Sequence, residues 1–307
     1  MQKVFRIGTR DSQLAVWQAT LVKDLLSQHG YAAELVYIKS EGDIDLQTPL
    51  YEIGVQGIFT RSLDIAMLEG RIDIAVHSMK DVPTQLPKGI VQAAVLKRAS
   101  YKDLFVYKND LDFLNDPSAT AVIATSSIRR QAQWLHKFPN HTIENLRGNV
   151  NTRLRKVDES NWQGAIFAAA GLERIDLRPE KSIELDWMLP APAQGAIMVV
   201  CKEEDAEAIK ACANFHDEET ATCTKAERDF LRALMGGCSM PISALAEVKD
   251  GALVFEGNIL SVDGKDKVEV KRVVPLVAAA NVGNEAANEL LENGGQAIVE
   301  AIRNEGK

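Results

Sequence analysis

The stretch Ala124-Thr-Ser-Ser-Ile-Arg-Arg reads as the end of a strand running into the start of a helix. It sets three hydroxyls, Thr125, Ser126 and Ser127, beside the free backbone N–H groups that make a helix start a cradle for anions. Arg129 and Arg130 follow at once and add two planar forks suited to carboxylate or phosphate. Further on, Leu146-Arg-Gly-Asn-Val-Asn-Thr-Arg places Arg147 and Arg153 around a turn at Gly148, with Arg155 close by. Between residues 121 and 155, six lysines and arginines stand against the single acid Glu144, a local charge of +5 in a chain of net charge -8, so the remainder carries -13. One arginine alone is ordinarily a solvated surface group. Five of them beside a hydroxyl-rich turn are better read as a site for a small anion.

Two further groups bear chemistry. In Ile72-Asp-Ile-Ala-Val-His-Ser-Met-Lys-Asp-Val-Pro the apolar run ends at Val76, which places His77, Ser78, Lys80 and Asp81 at the carboxyl edge of a sheet, where open α/β folds bind ligands. Asp81 could stabilise a cation or move a proton while Lys80 holds an anionic substituent; the blander reading makes Asp81-Val-Pro a turn and Lys80 a surface residue. His77 fits a packed strand end better than a catalyst. Thr9-Arg10-Asp11-Ser12 repeats the strand-edge geometry, and there Asp11 or Ser12 could equally be a helix N-cap. Gly236-Gly-Cys238 sets a thiol on a glycine loop after a helix, a candidate nucleophile or covalent attachment point. Cys201, Cys212 and Cys223 fall on strand or helix patterns and read as ordinary buried thiols.

The elements that must position these groups follow α/β grammar. Strands are predicted at Val4 to Gly8, Ala33 to Ile38, Ile72 to Val76 and Ile90 to Leu96, and helices at Ser12 to His29 and Arg61 to Glu69, which implies a largely parallel sheet. After a polar crossing at Lys97 to Lys102 the theme repeats, with strands at Leu104 to Tyr107, Thr120 to Ala124 and Ala165 to Ala170 and a helix at Ser127 to Lys137. The run Ala196 to Val200 should return to the first sheet, since an isolated strand cannot bury both faces. From Thr220 the pattern becomes a long helix, then alternating strands, then two helices near Ala286 to Glu292 and Gln296 to Arg303. The expected organisation is a first α/β domain from 1–97 and 195–215, a second from 102–190, and a small α+β domain from 219–307.

Net charge -8 disfavours a binder of nucleic acid. The first residues lack an apolar signal core and no stretch reaches the ~20 apolar residues of a membrane span, so a cytoplasmic protein without membrane contact is expected. Four cysteines without a C-x-x-C pair favour neither a disulfide framework nor zinc, and no metal site is expected. The residues alone describe a cleft for a small multi-carboxylate or phosphorylated compound with one acid and one thiol nearby. A non-catalytic two-lobed anion sensor and a transferase acting on a phosphorylated sugar remain open at this point. The absence of G-x-x-x-x-G-K-[ST] disfavours a P-loop kinase.

Seven segments carry a closer resemblance: Ile7-Gly-Thr-Arg-Asp-Ser-Gln-Leu-Ala, His77-Ser-Met-Lys-Asp-Val-Pro, Thr125-Ser-Ser-Ile-Arg-Arg-Gln, Leu146-Arg-Gly-Asn-Val, Ala169-Ala-Gly-Leu-Glu-Arg, Pro192-Ala-Gln-Gly-Ala and Gly236-Gly-Cys-Ser-Met-Pro-Ile. In this order they resemble the porphobilinogen deaminase (hydroxymethylbilane synthase) family over essentially the whole chain. The resemblance implies two domains similar to type II periplasmic binding proteins with the active cleft between them, plus the small cysteine-bearing domain. It implies a transferase of tetrapyrrole, porphyrin and haem biosynthesis that joins four porphobilinogen molecules with loss of ammonia and releases hydroxymethylbilane by hydrolysis. A dipyrromethane cofactor on a thioether to Cys238 would be the primer, and Asp81 would be catalytic. Arg10, Ser12, Lys80, Thr125, Ser126, Ser127, Arg129, Arg130, Arg147, Gly148, Arg153 and Arg174 match positions that hold cofactor or substrate carboxylates; Gln18, Phe59, Ser78 and Gln194 match positions lining the cleft. A monomer with a small-molecule substrate is implied. The sequence departs from the family pattern at Gln56, Ala124, Ser239, Ser243 and the crossing Arg98-Ala-Ser-Tyr-Lys-Asp103.

Overall fold

The structure, a computed structural model, describes residues 3–39, 60–234 and 240–305. The chain opens with β1 (Val4–Thr9), α1 (Gln13–Gln28) and β2 (Ala32–Tyr37). Ala15, Gln18, Ala19, Val22 and Leu26 of α1 recur every three or four positions and form its buried face. Ser12 caps the helix by accepting from the Ala15 N–H. Next come α2 (Arg61–Leu68), β3 (Ile74–Ser78), β4 (Ile90–Val95), β5 (Asp103–Tyr107), β6 (Val122–Ala124), α3 (Ile128–Lys137) and β7 (Thr142–Glu144). They are followed by α4 (Val150–Glu159), β8 (Gly164–Ala168), α5 (Ala169–Glu173), β9 (Ser182–Glu184), β10 (Ile197–Lys202) and α6 (Ala206–Ala213). The last third holds α7 (Glu218–Ala233), β11 (Ile242–Lys249), β12 (Ala252–Leu260), β13 (Lys267–Pro275), α8 (Val282–Leu290) and α9 (Gln296–Glu305).

Among the described residues these strands form three sheets, ordered β2-β1-β3-β10-β4, β7-β6-β8-β5-β9 and β11-β12-β13. In the first, β1 runs parallel to β2 and β3, whereas β10 is antiparallel to both β3 and β4. The second repeats this arrangement: β6 is parallel to β7 and β8, and β5 is antiparallel to β8 and β9. Both sheets are therefore mixed, which corrects the expectation of a largely parallel sheet. The strand that returns late in the chain does so because Ile197, Met198, Val199, Val200 and Cys201 are all buried and need neighbours on both edges. The third sheet is antiparallel and packs on α7 and α8, with Phe230 edge-on to Phe255 and wedged over Gly257, where a Cβ would collide with its ring.

Two element ends differ from expectation at places that matter. β3 begins at Ile74 and continues through Ser78, so His77 and Ser78 are paired strand residues opposite Met198 and Ile197 instead of lying beyond the strand. Only Met79, Lys80 and Asp81 form the turn at its end. β8 stops at Ala168 and Ala169 opens a short helix, because small residues with no β-branch suit either state.

Candidate active-site cleft

The two mixed sheets face a common cavity of about 360 Å³ with the third sheet's edge at one side. From the first sheet it receives Arg10 and Ser12 at the end of β1, Ser78 at the end of β3, and Lys80 and Asp81 on the turn after it. From the second come Ser126, Ser127, Arg129 and Arg130 at the start of α3, Arg147, Gly148 and Arg153 around the start of α4, and Arg174 after α5. Gln194 lies on the return crossing, and Leu231, Met240 and Ile242 bring the third unit to the wall. Gly148 has φ 116°, a conformation that glycine tolerates, and this turn lets its carbonyl accept from Arg153 Nε at 2.7 Å. A smaller cavity of about 70 Å³ adjoins at Arg10, Ser12, Ser78 and Asp81 and is lined in addition by Gln18 and His77. Gln18 Nε2 donates to Ser78 Oγ at 2.9 Å. Thr125 is buried behind the cleft, where its Oγ1 accepts from the Ser127 N–H. Ser127 precedes α3 without capping it through its side chain, whereas Ser12 caps α1. Phe59, Gln56, Ser239 and Cys238 lie outside the described residues.

Arg129 and Arg130 are not the open forks that their sequence position suggests. Both are buried around the fully buried Asp103: Arg129 Nη2 donates to Oδ2 at 2.7 Å, and Arg130 donates to Oδ1 from Nε at 3.1 Å and Nη2 at 2.7 Å. Their remaining amino groups reach the Leu189 and Ile166 carbonyls. Burial alone would raise the Asp103 carboxyl, but the two guanidiniums outweigh it and hold it at about 2. Arg129 Nε is buried without a partner among the described residues. Gln194 bridges this knot to the cleft, donating to Asp103 Oδ1 at 2.9 Å and accepting from Lys80 Nζ at 3.4 Å.

The other cations are differently placed. Burial, helped by Arg130 and opposed by Asp81 and Asp103, lowers Lys80 to about 8. Burial also lowers Arg153 to about 10, with Arg130 and Arg147 contributing in the same direction. Arg174, likewise lowered to about 10 by burial, donates to the Gly195 carbonyl at 2.7 Å and lies over the Trp17 ring. Among the described residues none of these three has a carboxylate within ion-pair distance. Desolvated, mutually repelling cations around an open cavity favour an incoming polycarboxylate. His77 is held neutral by burial, at about 4, and its Nε2 has no partner among the described residues.

Sequence reasoning missed the groups that hold the cleft together. Glu227, fully buried on α7, accepts from Arg98 Nη1 at 2.6 Å and Nη2 at 3.1 Å, from the Ala193 N–H at 2.6 Å and from the Ala246 N–H at 2.8 Å. One carboxylate thus pins both crossings between the sheets and the first strand of the third. Its signal was its place on the apolar stripe of α7, in register with Cys223 and Phe230. Ala193 has φ 62°, unusual without glycine, and Gly195 comes so close to the Ala99 and Ser100 carbonyls that a Cβ would sit 2.7 Å from each. Ser243 accepts from Gln133 Nε2 at 3.0 Å and joins the third sheet to α3; Ala124 is a buried residue of β6. Cys201, Cys212 and Cys223 are buried, and burial raises them to about 11, 12 and 12, the expected state of inert thiols. Among the described residues no His, Cys, Asp or Glu cluster could hold a metal, and no helix is long and apolar enough to cross a membrane.

Comparison with known proteins agrees with this arrangement. Residues 5–210 match the family model described as porphobilinogen deaminase, dipyromethane cofactor binding domain, and residues 221–292 match porphobilinogen deaminase, C-terminal domain. The chain is 41% identical to the porphobilinogen deaminase of Syntrophotalea carbinolica over 301 residues, 97% of this chain and 95% of that one. It is also 41% identical to that of Trichlorobacter lovleyi over 304 residues, 98% of this chain and 97% of the other. Among solved structures, an ancestral cationic amino acid solute-binding protein aligns at 15% identity over 69% of this chain and 87% of its own, with a TM-score of 0.44. Near-complete coverage by the relatives and both family models lead to one conclusion: the chain belongs to the porphobilinogen deaminase family.

Proposed function

We propose that this chain is a transferase that joins four porphobilinogen molecules, with loss of ammonia, onto a dipyrromethane primer held through Cys238, and releases hydroxymethylbilane by hydrolysis. The observation that carries this reading is one cavity in which a carboxylate, Asp81, faces Lys80, Arg10, Arg147, Arg153 and Arg174. Each porphobilinogen ring brings two carboxylates, a pyrrole N–H and an aminomethyl group. The donor set fits such rings and fits a dipyrromethane equally: cations for the acetates and propionates, and a single carboxylate for the pyrrole N–H and for positive charge. When bound, the dipyrromethane supplies the nucleophilic pyrrole carbon to which the next ring is joined.

This chain's own residues supply orientation and charge. Arg153 and Arg174 bind substrate carboxylates, and their burial strengthens those contacts. Asp81 accepts a hydrogen bond from the pyrrole N–H and stabilises the cation left on the substrate methylene when ammonia departs. Lys80 holds a ring carboxylate while Gln194 fixes its Nζ. Arg129 and Arg130 contribute through charge and through the Arg129 Nε, their forks being engaged by Asp103. Arg10, Ser12, Gln18 and Ser78 line the smaller cavity as a contact surface for one ring. The working division is 1–97 with 195–215, 102–190 and 219–307, in a cytoplasmic monomer that needs no nucleic acid. A non-catalytic anion sensor would use the arginines but would require neither Asp81 nor Cys238.

Intact mass spectrometry of protein reconstituted with porphobilinogen is expected to show an adduct of about two pyrrole units that is lost in Cys238→Ala. A bare polypeptide would defeat the tether. Asp81→Asn is expected to fold and lose most turnover; near-normal bilane formation would remove Asp81 from the reaction.

A further inference from the structure

The turn that presents Lys80 and Asp81 is short. Its internal bond runs from the Val82 N–H to the Met79 carbonyl at 3.2 Å, and Pro83 follows with no N–H to give. An arginine from another part of the molecule closes it. Arg228, on α7, donates from Nη1 to the Met79 and Val82 carbonyls at 3.3 and 2.9 Å and from Nη2 to the Pro83 carbonyl at 2.6 Å. These carbonyls bracket Lys80 and Asp81 in the chain. The acid next to Arg228, Asp229, is engaged by Lys225 and Arg232, so the Arg228 fork is directed to backbone dipoles. Burial lowers Arg228 to about 10, which leaves it charged at neutral pH.

We propose that Arg228 is a positioning residue: by holding the carbonyls on either side of Asp81 it fixes the aim of that carboxylate and ties it to the helix that precedes the Cys238 segment. The proposal rests on the reading of Asp81 as the group that acts on the substrate. A guanidinium is needed because a fork with two amino groups can serve three carbonyls from one direction, whereas an ammonium is a single point and a methionine offers no donor.

The test compares Arg228→Met and Arg228→Lys holoenzymes by intact mass, steady-state kinetics and amide hydrogen exchange. Arg228→Met is expected to retain primer and to lose about 10- to 100-fold in kcat with KM changed less than about threefold, since aim is lost while the carboxylate contacts stay. Amides of residues 79–84 should exchange faster, and Arg228→Lys should fall between the two. In an Asp81→Asn background, Arg228→Met should add little, because the group it aims is already gone. Unchanged kcat, a loss confined to KM, unaltered exchange at 79–84, or a fully additive loss on Asp81→Asn would each overturn the proposal. Should Arg228→Met fail to fold, Arg228→Lys carries the same readouts. The reading of Asp81 fails on its own if Asp81→Asn turns over normally; the role of Arg228 fails on its own if Asp81→Asn is inactive and the Arg228 variants are not impaired.

Discussion

Arg129 and Arg130 at the start of α3 and Arg153 and Arg174 on α4 and after α5 line one cavity, yet the two pairs are engaged differently. The first pair closes on a fully buried aspartate within the second sheet. Arg153 lies against the open cavity with a backbone carbonyl as its partner, and Arg174 does the same from the end of α5. The difference is set by what the neighbouring strand offers. β5 begins with Asp103 at a position with no exposure, so the guanidiniums above it are drawn in; Arg153 on α4 and Arg174 after α5 feel Asp81 and Glu173 only beyond ion-pair distance. Arginine in a cluster can therefore be closed on a buried carboxylate or left lining a cavity, and the anion already present decides which.

The comparison breaks most sharply at Asp103. Asp103→Ala leaves two buried guanidiniums without a counter-charge and should cost about 3–5 kcal/mol, read as a lowered midpoint in urea unfolding. Stability close to the parent's would mean that water or backbone groups already satisfy that pair. Next, Arg153→Gln and Arg174→Gln should each lower kcat/KM about 10- to 100-fold, the worth of a charge-assisted hydrogen bond, while unfolding shifts by less than about 1 kcal/mol. A large stability loss there would place these residues with Arg129 and Arg130.

The pH dependence sharpens the contrast. Lys80 is lowered to about 8, so its positive charge is complete below that value and is lost as pH rises through it. Adduct formation on the bare polypeptide should accordingly fall across an alkaline limb with a midpoint near 8. Lys80→Arg should shift that limb upward, since guanidinium stays charged; an unmoved limb would assign it to another group. The smallest effect belongs to Arg155, a cluster member whose side chain is 67% exposed, with only a 3.9 Å contact to Glu159. Arg155→Ala should change unfolding by less than about 0.5 kcal/mol and leave turnover intact.

Much of this was readable from residue order. The strand edges after β1, β3 and β6 and the buried face of α1 follow from short-range periodicity, and they deliver Arg10, Lys80, Asp81, Ser126 and Ser127 to one cavity. What was not readable depends on contacts between distant segments. Asp103 gave no local sign that it would draw in Arg129 and Arg130 from across the sheet. Nothing in the residues around Arg228 marks it out; its contacts come from the packing of α7 against Met79, Val82 and Pro83. The mixed direction of both sheets escaped because an apolar run such as Ile197 to Lys202 states its burial but not its orientation.

The Glu227 carboxylate imposes an order of assembly. Synthesis delivers Arg98 first, Ala193 second and the carboxylate that binds both only afterwards, with Ala246 later still. The first sheet itself waits for β10 to enter between β3 and β4, long after those strands have left the ribosome. Until α7 emerges, the two crossings have no common anchor and the left-handed turn at Ala193 has lost one of its restraints. A nascent chain ending before residue 227 would thus carry two nearly complete sheets whose crossings bond to each other but lack their shared carboxylate, and the addition of one helix would supply it.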